Sequence, residues 1–222
     1  MLCNFIAITV FLLFNLWSPH ASAIDFKAIK WELVRSGSGI DVYRGETGLS
    51  DLYAAKGLGI IPAPIVIVTS VLLDPTRRGQ WFPDLLGSHI VKTVSANERF
   101  EYMAVRTPFP LANRDFIYRG KFSYNKEVKT MEIRFASEDI PEMPETKLVR
   151  GKIIDSVFTL RERADGYTII EHVAVMDPRG YIPNWIVNLV QANVPFNMIW
   201  NLRLQVVRPD VVARQEVLDE MK

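Results

Sequence analysis

The sequence predicts an α+β domain in which one antiparallel sheet packs against a long C-terminal helix. Two patterns predict it. Segments that alternate apolar and polar residues follow one another between residues 89 and 176, with short turns between them. After them, apolar residues recur every three or four positions from Trp185 to Val206, which is typical of one helix face. A run of strands followed by a helix, without regular βα alternation, indicates an α+β fold.

The first 23 residues carry no charged side chain, and their apolar run from Phe5 to Trp17 leads to Ala21-Ser22-Ala23. A short apolar run that ends in small residues is typical of a secretory signal peptide. It is shorter than the 18 or more apolar residues of a membrane-spanning helix. We therefore expect residues 1–23 to be a cleaved signal peptide, residues 24–222 to form one domain, and the protein to be periplasmic or secreted. An uncleaved anchor is the alternative.

The composition argues against several classes of function. Lys and Arg (26) nearly balance Asp and Glu (25), so the chain lacks the basic surplus of a dedicated nucleic-acid binder. Its one cysteine, Cys3, lies in the expected signal peptide, which leaves no thiol for a disulfide or a metal site. His89 and His172 are not spaced as metal ligands. We expect a monomer without a metal, a cofactor or a nucleic-acid partner.

Apolar residues 65–73 predict a buried helix because Pro64 precedes them and Asp74-Pro75 follows, although their β-branched content favours a strand. Trp31 and Leu33 are expected to face inward from the first element. The other elements expected in the first half are a short helix or strand within 24–35, a turn at 36–39, strands at 40–46 and 52–60, and a short helix at 75–81.

In the second half, the clearest alternation places Met131, Ile133 and Phe135 on one strand face. The C-terminal helix has Pro183 in its first turn, where a missing N–H costs nothing, and Pro195 predicts a kink or a break between residues 191 and 195. The expected strands, joined as an antiparallel meander, are 89–95, 98–107, 115–124, 128–137, 149–162 and 166–176.

Four motifs, in order, give the chain a resemblance to the START (StAR-related lipid transfer) domains. The motifs are Leu73-Asp74 with Arg78 and Trp81, the run PLANRDF at 110–116, Val149-Arg150-Gly151, and the run DPRGYIPNWIVN at 177–188. The resemblance implies a helix-grip fold, in which a curved antiparallel sheet wraps around the long C-terminal helix. It also implies an internal hydrophobic tunnel that holds one lipid, such as a phospholipid, sterol or ceramide, with no cofactor and no reaction.

Glu101 is the first polar candidate for such a tunnel. In sterol-type START domains, a carboxylate at the matching place pairs with an arginine on the next strand, but here that position is Gly120. Glu101 therefore needs another partner, for which Arg106 and Arg150 are the candidates, unless it is an ordinary solvated glutamate. Arg114 and Asp115 are adjacent on a strand and so point to opposite faces, which favours a structural role for both.

The remaining lining candidates are apolar side chains, any of which could equally belong to an ordinary core. Trp81, Leu85 and Leu86 are expected at the tunnel mouth, where the protein would contact a membrane surface transiently. The expected lining residues are Met103, Phe116, Tyr118, Phe122, Met131, Ile133, Phe135, Trp185, Leu189 and Phe196.

Two other classes of function stay open at this point. Helix-grip proteins include enzymes of the polyketide cyclase type, but the chain has neither a Gly-x-Ser-x-Gly nor a His-x-x-x-His motif, and we predict that it is not an enzyme. A lipid sensor that acts through a partner protein is the other class. Carriers and sensors differ in how they release the ligand, which the sequence does not reveal.

Overall fold

The computed structural model describes residues 24–48, 52–142 and 146–222, except for the side chains of residues 184, 185, 187–189 and 191. The expected signal peptide lies outside the described residues. The strands are β1 (Trp31–Gly37), β2 (Ile40–Glu46), β3 (Tyr53–Ile61), β4 (Leu85–Ser95), β5 (Glu98–Val105), β6 (Arg114–Asn125), β7 (Thr130–Ala136), β8 (Val149–Arg150), β9 (Lys152–Glu162) and β10 (Thr168–Asp177). The helices are α1 (Ile65–Leu73), α2 (Asn184–Val206) and α3 (Gln215–Glu220).

One sheet contains all ten strands, in the order β1-β2-β3-β10-β9-β7-β6-β5-β4, and every neighbouring pair along this path is antiparallel. The short β8 lies off the path and pairs parallel with β6. The predicted meander is therefore confirmed from β4 onward, except that the single strand predicted at 149–162 is divided into β8 and β9. Strand β10 pairs with both β9 and β3, which joins the meander to the three N-terminal strands.

Helix α1 confirms the prediction for the apolar run 65–73. Seven of its nine residues are buried, so nearly all of its circumference is covered by protein. A helix buried all round needs no polar face, which explains why the run lacks an amphipathic pattern. Segment 75–81, predicted as a short helix, forms only a single 3-10 turn at Arg78–Gln80.

Helix α2 runs without a break through Pro195, so the break allowed for above does not occur. The helix packs closely on β2 and β3, where glycines permit a short approach. A Cβ atom on Gly57 would lie 3.0 Å from Cδ1 of Ile199 and 3.1 Å from Cβ of Pro195. Near its C-terminal end, Arg203 donates hydrogen bonds to the carbonyls of Ile60 (2.8 Å), Ser38 (2.6 Å) and Gly39 (2.8 Å). The helix is thus fixed to the β1–β2 turn and to β3.

Two features differ from the expectations. Leu33, expected to face inward, is 53% exposed, because it lies on β1, an edge strand of the sheet. Helix α3 was not predicted, because its six residues offer only one fully buried apolar side chain, Val217. None of the helices in the described ranges combines the length and the hydropathy of a membrane-spanning segment.

Candidate functional site

A strip of mostly small residues crosses the face of the sheet on which α2 packs. Strand pairing places its members side by side on five adjacent strands. Along each strand, the member lies two residues from a second row of paired residues, which includes Gly57. Four of the five have a methyl group, a hydroxymethyl group or no side chain at all, so this part of the face projects little volume toward the interior. The strip consists of Ala55, Ala174, Ser156, Phe135 and Gly120.

The strip separates two apolar clusters on the same face. The larger cluster contains Phe122, Met131 and Ile133 of the sheet, together with Met198 and Ile199 of α2 and other buried residues. The smaller cluster consists of Met103, Phe116, Tyr118 and Ile153. Phe135 and Phe82 are partly exposed and pack against both clusters. The core is therefore divided where the strip lies.

His172 borders the strip and forms a polar pair with Ser156. Its Nε2 lies 3.0 Å from Ser156 Oγ, and its ring stacks on Phe158 with centroids 3.9 Å apart and planes 11° apart. The Nδ1 atom is buried and has no hydrogen-bond partner in the described part of the chain. Burial disfavours the imidazolium and lowers the pKa of His172 to about 3. The ring is therefore neutral at physiological pH.

Glu101 is fully buried, and both of its carboxylate oxygens are hydrogen-bonded to side chains of the protein. Its Oε2 accepts hydrogen bonds from Arg78 Nη1 (2.5 Å) and the Tyr118 hydroxyl (2.9 Å), and its Oε1 accepts one from Arg99 Nε (2.7 Å). Burial opposes ionisation, but the two guanidinium groups outweigh it and hold the pKa of Glu101 below its ordinary 4.5. The partners expected from the sequence, Arg106 and Arg150, are wrong.

Arg78 and Arg99 also tie the network to the helices. Arg78 Nη2 donates to the Leu72 carbonyl at 3.5 Å, and Arg99 Nη2 donates to that of Leu73, at the end of α1. Arg99 Nη1 reaches Glu216 Oε1 of α3 at 3.4 Å. The carboxylate of Glu101 is thus occupied by structural partners.

Arg114 and Asp115 hold loops, in agreement with the structural role expected for them. Arg114 donates to the carbonyls of Ala112 (2.5 Å), Pro178 (3.3 Å) and Arg179 (3.2 Å). Asp115 accepts bonds from Thr146 (2.6 Å) and from Arg150 Nε (2.7 Å), so Arg150 belongs to this pair. Burial raises the pKa of Asp115, but the hydrogen bonds from Arg150 and Thr146 outweigh this effect and hold the pKa below its ordinary 3.8.

The other sequence candidates are distributed unevenly. Met103, Phe116 and Tyr118 lie in the smaller cluster, Phe122, Met131 and Ile133 in the larger, and Phe135 between them. Phe196 packs at the β1 edge, where the Arg35 guanidinium lies 3.6 Å from its ring centroid. The side chains of Trp185 and Leu189 lie outside the described residues. Trp81, expected at a mouth, is buried in the larger cluster, while Leu85 packs on the smaller one and Leu86 is exposed.

Ala55, Ser156, Ala174 and His172 are not among the site residues predicted from the sequence. Small residues give no periodic signal of their own, and only the strand register aligns these across the sheet. Away from the strip, a depression of about 510 Å³ lies between β4 and α3, but its charged residues include the mutually paired Arg214 and Glu216, which does not suit an apolar ligand. In the described ranges, no cluster of His, Cys, Asp or Glu is suited to hold a metal ion.

Comparison with known proteins identifies the family. The START domain model matches residues 21–203. Phosphatidylcholine transfer protein of Mus musculus is 27% identical over 167 residues, which cover 73% of this chain and 77% of that protein. The STAR-related lipid transfer protein of Xanthomonas axonopodis is 28% identical and superposes with a TM-score of 0.67, over 80% of this chain and 99% of that one.

The fold also matches human StAR-related lipid transfer protein 5, with a TM-score of 0.74 at 18% identity, over 79% of this chain and 86% of that one. The helix-grip architecture predicted from the sequence is thereby confirmed. Since the family model covers most of the chain, in agreement with the four motifs noted above, this protein belongs to the START domain family.

Proposed function

We propose that the protein binds a single lipid between α2 and the strip and transfers it between membranes. The strip is the observation that carries this proposal, because small residues between two apolar clusters favour an elongated apolar occupant. The names of the mouse and Xanthomonas relatives, both transfer proteins, support it.

An acyl chain gains about 0.8 kcal/mol for each CH₂ group that leaves water. Apolar walls can therefore hold a long chain without a strong polar contact. The paired Glu101 also fits this role. Its charge is already neutralised by Arg78 and Arg99, so the ligand does not need a cationic group to bind there. We propose that the ligand is a phospholipid, a sterol or a similar lipid, and that the protein catalyses no reaction on it.

The test is native mass spectrometry of the purified protein, followed by extraction and analysis of any lipid that accompanies it. We expect one lipid per protein. Ala174→Phe would fill the space over the strip and should abolish lipid binding. Ala136→Phe, at an exposed position of β7, should still bind the lipid. A protein that carries no lipid and takes up none from mixed vesicles would contradict the proposal.

We also propose that two loops at one end of the sheet contact the membrane transiently. Phe109 is 92% exposed and Tyr181 is 86% exposed, and Arg114 links the loops that carry them. Aromatic side chains suit the membrane interface. The double variant Phe109→Ser/Tyr181→Ser should bind vesicles more weakly and transfer lipid more slowly, while Val212→Ser, another exposed apolar position, should behave as wild type. Equal vesicle binding by all three proteins would refute this contact.

We further propose that the protein is a monomer, and that it is exported to the periplasm or the exterior with residues 1–23 removed. A monomer agrees with a carrier that must present its ligand to a membrane without a subunit partner. Size-exclusion chromatography with light scattering measures the mass of the protein in solution and so tests the monomeric state. A mass of two chains at micromolar protein concentration would overturn it.

A further inference from the structure

Ser156 and His172 form a polar pair in otherwise apolar surroundings. Along the strip, Ser156 lies between Ala174 and Phe135, and His172 lies between Gly57 and Phe158 in the adjacent row. Stacking on Phe158 fixes the plane of the imidazole, and the 3.0 Å contact fixes Nε2 on Ser156 Oγ. The serine oxygen therefore has a defined orientation at the strip.

The absence of a described partner for Nδ1 indicates where the imidazole proton lies. A buried N–H without an acceptor is rarer in proteins than a buried acceptor without a donor. The favoured tautomer thus carries its proton on Nε2, which donates to Ser156 Oγ. The hydroxyl hydrogen of Ser156 then remains to be donated, and no other hydrogen bond of Ser156 Oγ occurs in the described part of the chain.

We propose that Ser156, positioned by His172, donates a hydrogen bond to the carbonyl oxygen of an acyl ester in the bound lipid. This inference rests on the proposed function, and it adds the chemical class of the ligand: an ester-linked acyl lipid. An ester carbonyl is a neutral acceptor next to the acyl chain, so it can meet Ser156 while the chain lies against the apolar clusters.

The neutral imidazole agrees with this assignment. Because burial keeps the pKa of His172 near 3, the pair offers no positive charge that would select a phosphate group. A serine and a histidine in contact also resemble a nucleophile and its base. Here Nδ1 has no described carboxylate partner and the ring is a weak base, so the pair is suited to binding rather than to acyl transfer.

The test compares diester lipids with diether lipids of equal chain length, which lack only the carbonyl oxygens. Two head groups are used, phosphatidylcholine and the simple hydroxyl of diacylglycerol, and uptake from vesicles is measured by competition. We expect wild-type protein to prefer the ester form about fivefold, the effect of one hydrogen bond. Ser156→Ala should lose the preference, whereas Ser123→Ala, an exposed serine on β6, should keep it.

Variants of His172 separate positioning from a merely structural role. His172→Phe should lose the preference, while His172→Gln, whose amide can still donate to Ser156, should recover it. Thermal unfolding shows whether each variant is folded. Equal uptake of ester and ether lipids by wild-type protein would overturn the inference and leave lipid carriage intact. Uptake of neither lipid, together with no co-purified lipid, would overturn the proposed function and the inference with it.

Discussion

Glu101 shows how one buried charge is tolerated at the centre of the fold. The carboxylate contacts Arg78, Arg99 and Tyr118, and no part of it is exposed. Removing one member of a buried ion pair leaves the other charge without compensation, which costs more than the pair itself contributes. Two arginines depend on this single carboxylate, although Arg99 also contacts Glu216.

Glu101→Gln should therefore lower the free energy of unfolding by about 3 kcal/mol. The substitution keeps the shape of the side chain and removes its charge. Glu132→Gln, half-exposed and 3.8 Å from Arg134, is the matched control and should change stability by less than about 0.5 kcal/mol. Urea denaturation of both variants measures the difference. Equal stabilities would mean that the network contributes little.

His172 should make the folded state sensitive to mild acid. In the unfolded chain it takes up a proton below its ordinary pKa of 6.5, but in the folded protein only near 3. Between these values the unfolded state binds more protons, so stability falls as the pH falls. Between pH 6.5 and pH 4.5, the wild-type protein should therefore lose about 2 kcal/mol more free energy of unfolding than His172→Phe, which lacks the imidazole.

Urea unfolding at several pH values tests this expectation, and His89→Phe, at an exposed position, serves as the control. The carboxylates are common to the three proteins, so their titration cancels in the comparison. Parallel pH profiles for wild type and His172→Phe would show that the imidazole is solvated in the folded state.

At the scale of elements, the position of α2 depends on two glycines in β3. Gly57 and Gly59 each leave 3.0 Å between a hypothetical Cβ and Ile199, so larger residues would push the helix away from the sheet. Gly57→Val should lower the free energy of unfolding by roughly 2 kcal/mol through overpacking. Gly87→Val on β4, where a Cβ would have no atom within 4 Å, should have a much smaller effect. Similar losses in chemical denaturation would point to backbone entropy instead of packing.

The elements that could be predicted from the sequence are those whose signal is local. Helix α1 was predicted from its flanking prolines, α2 from its apolar period, and most strands from alternation. Helix α3 was missed because six residues with one buried side chain give no period. The strip was missed for a different reason, since Ala55 and Ala174 meet only through the pairing of β3 with β10, more than 100 residues apart.

For the molecule as a whole, the same distinction explains the error about Glu101. Its alternation with Met103 predicted the correct face, and the same alternation could have found Arg99, two residues before Glu101 on β5. The other partner, Arg78, lies in a turn outside the sheet, where strand patterns do not apply. The pairing of Asp115 with Arg150 likewise requires the parallel contact of β6 with β8, which β7 separates in the chain. Residue identity predicted that these charges need partners, and the topology decides which partners they have.

Export is the prediction that concerns the entire chain. Expressed with its own N terminus in a bacterium with a periplasm, the protein should be recovered outside the cytoplasm with Ile24 as its first residue. The intact mass of the purified chain decides this point. A variant with Ala21→Arg and Ala23→Arg should remain uncleaved, because the small residues before the expected cleavage site are lost. A full-length mass for the wild type would favour the anchor.

Arg114 has a consequence for the membrane contact that we propose. One guanidinium bonds to the loop before β6 and to the loop before α2, which links the loops that carry Phe109 and Tyr181. In the membrane contact that we propose, two aromatic side chains on linked loops would act as a bivalent ligand. Once the first has entered a bilayer, the second is held at a high effective concentration near it, and its insertion involves little further loss of freedom. Cutting this link would turn one avid contact into two weak and independent ones.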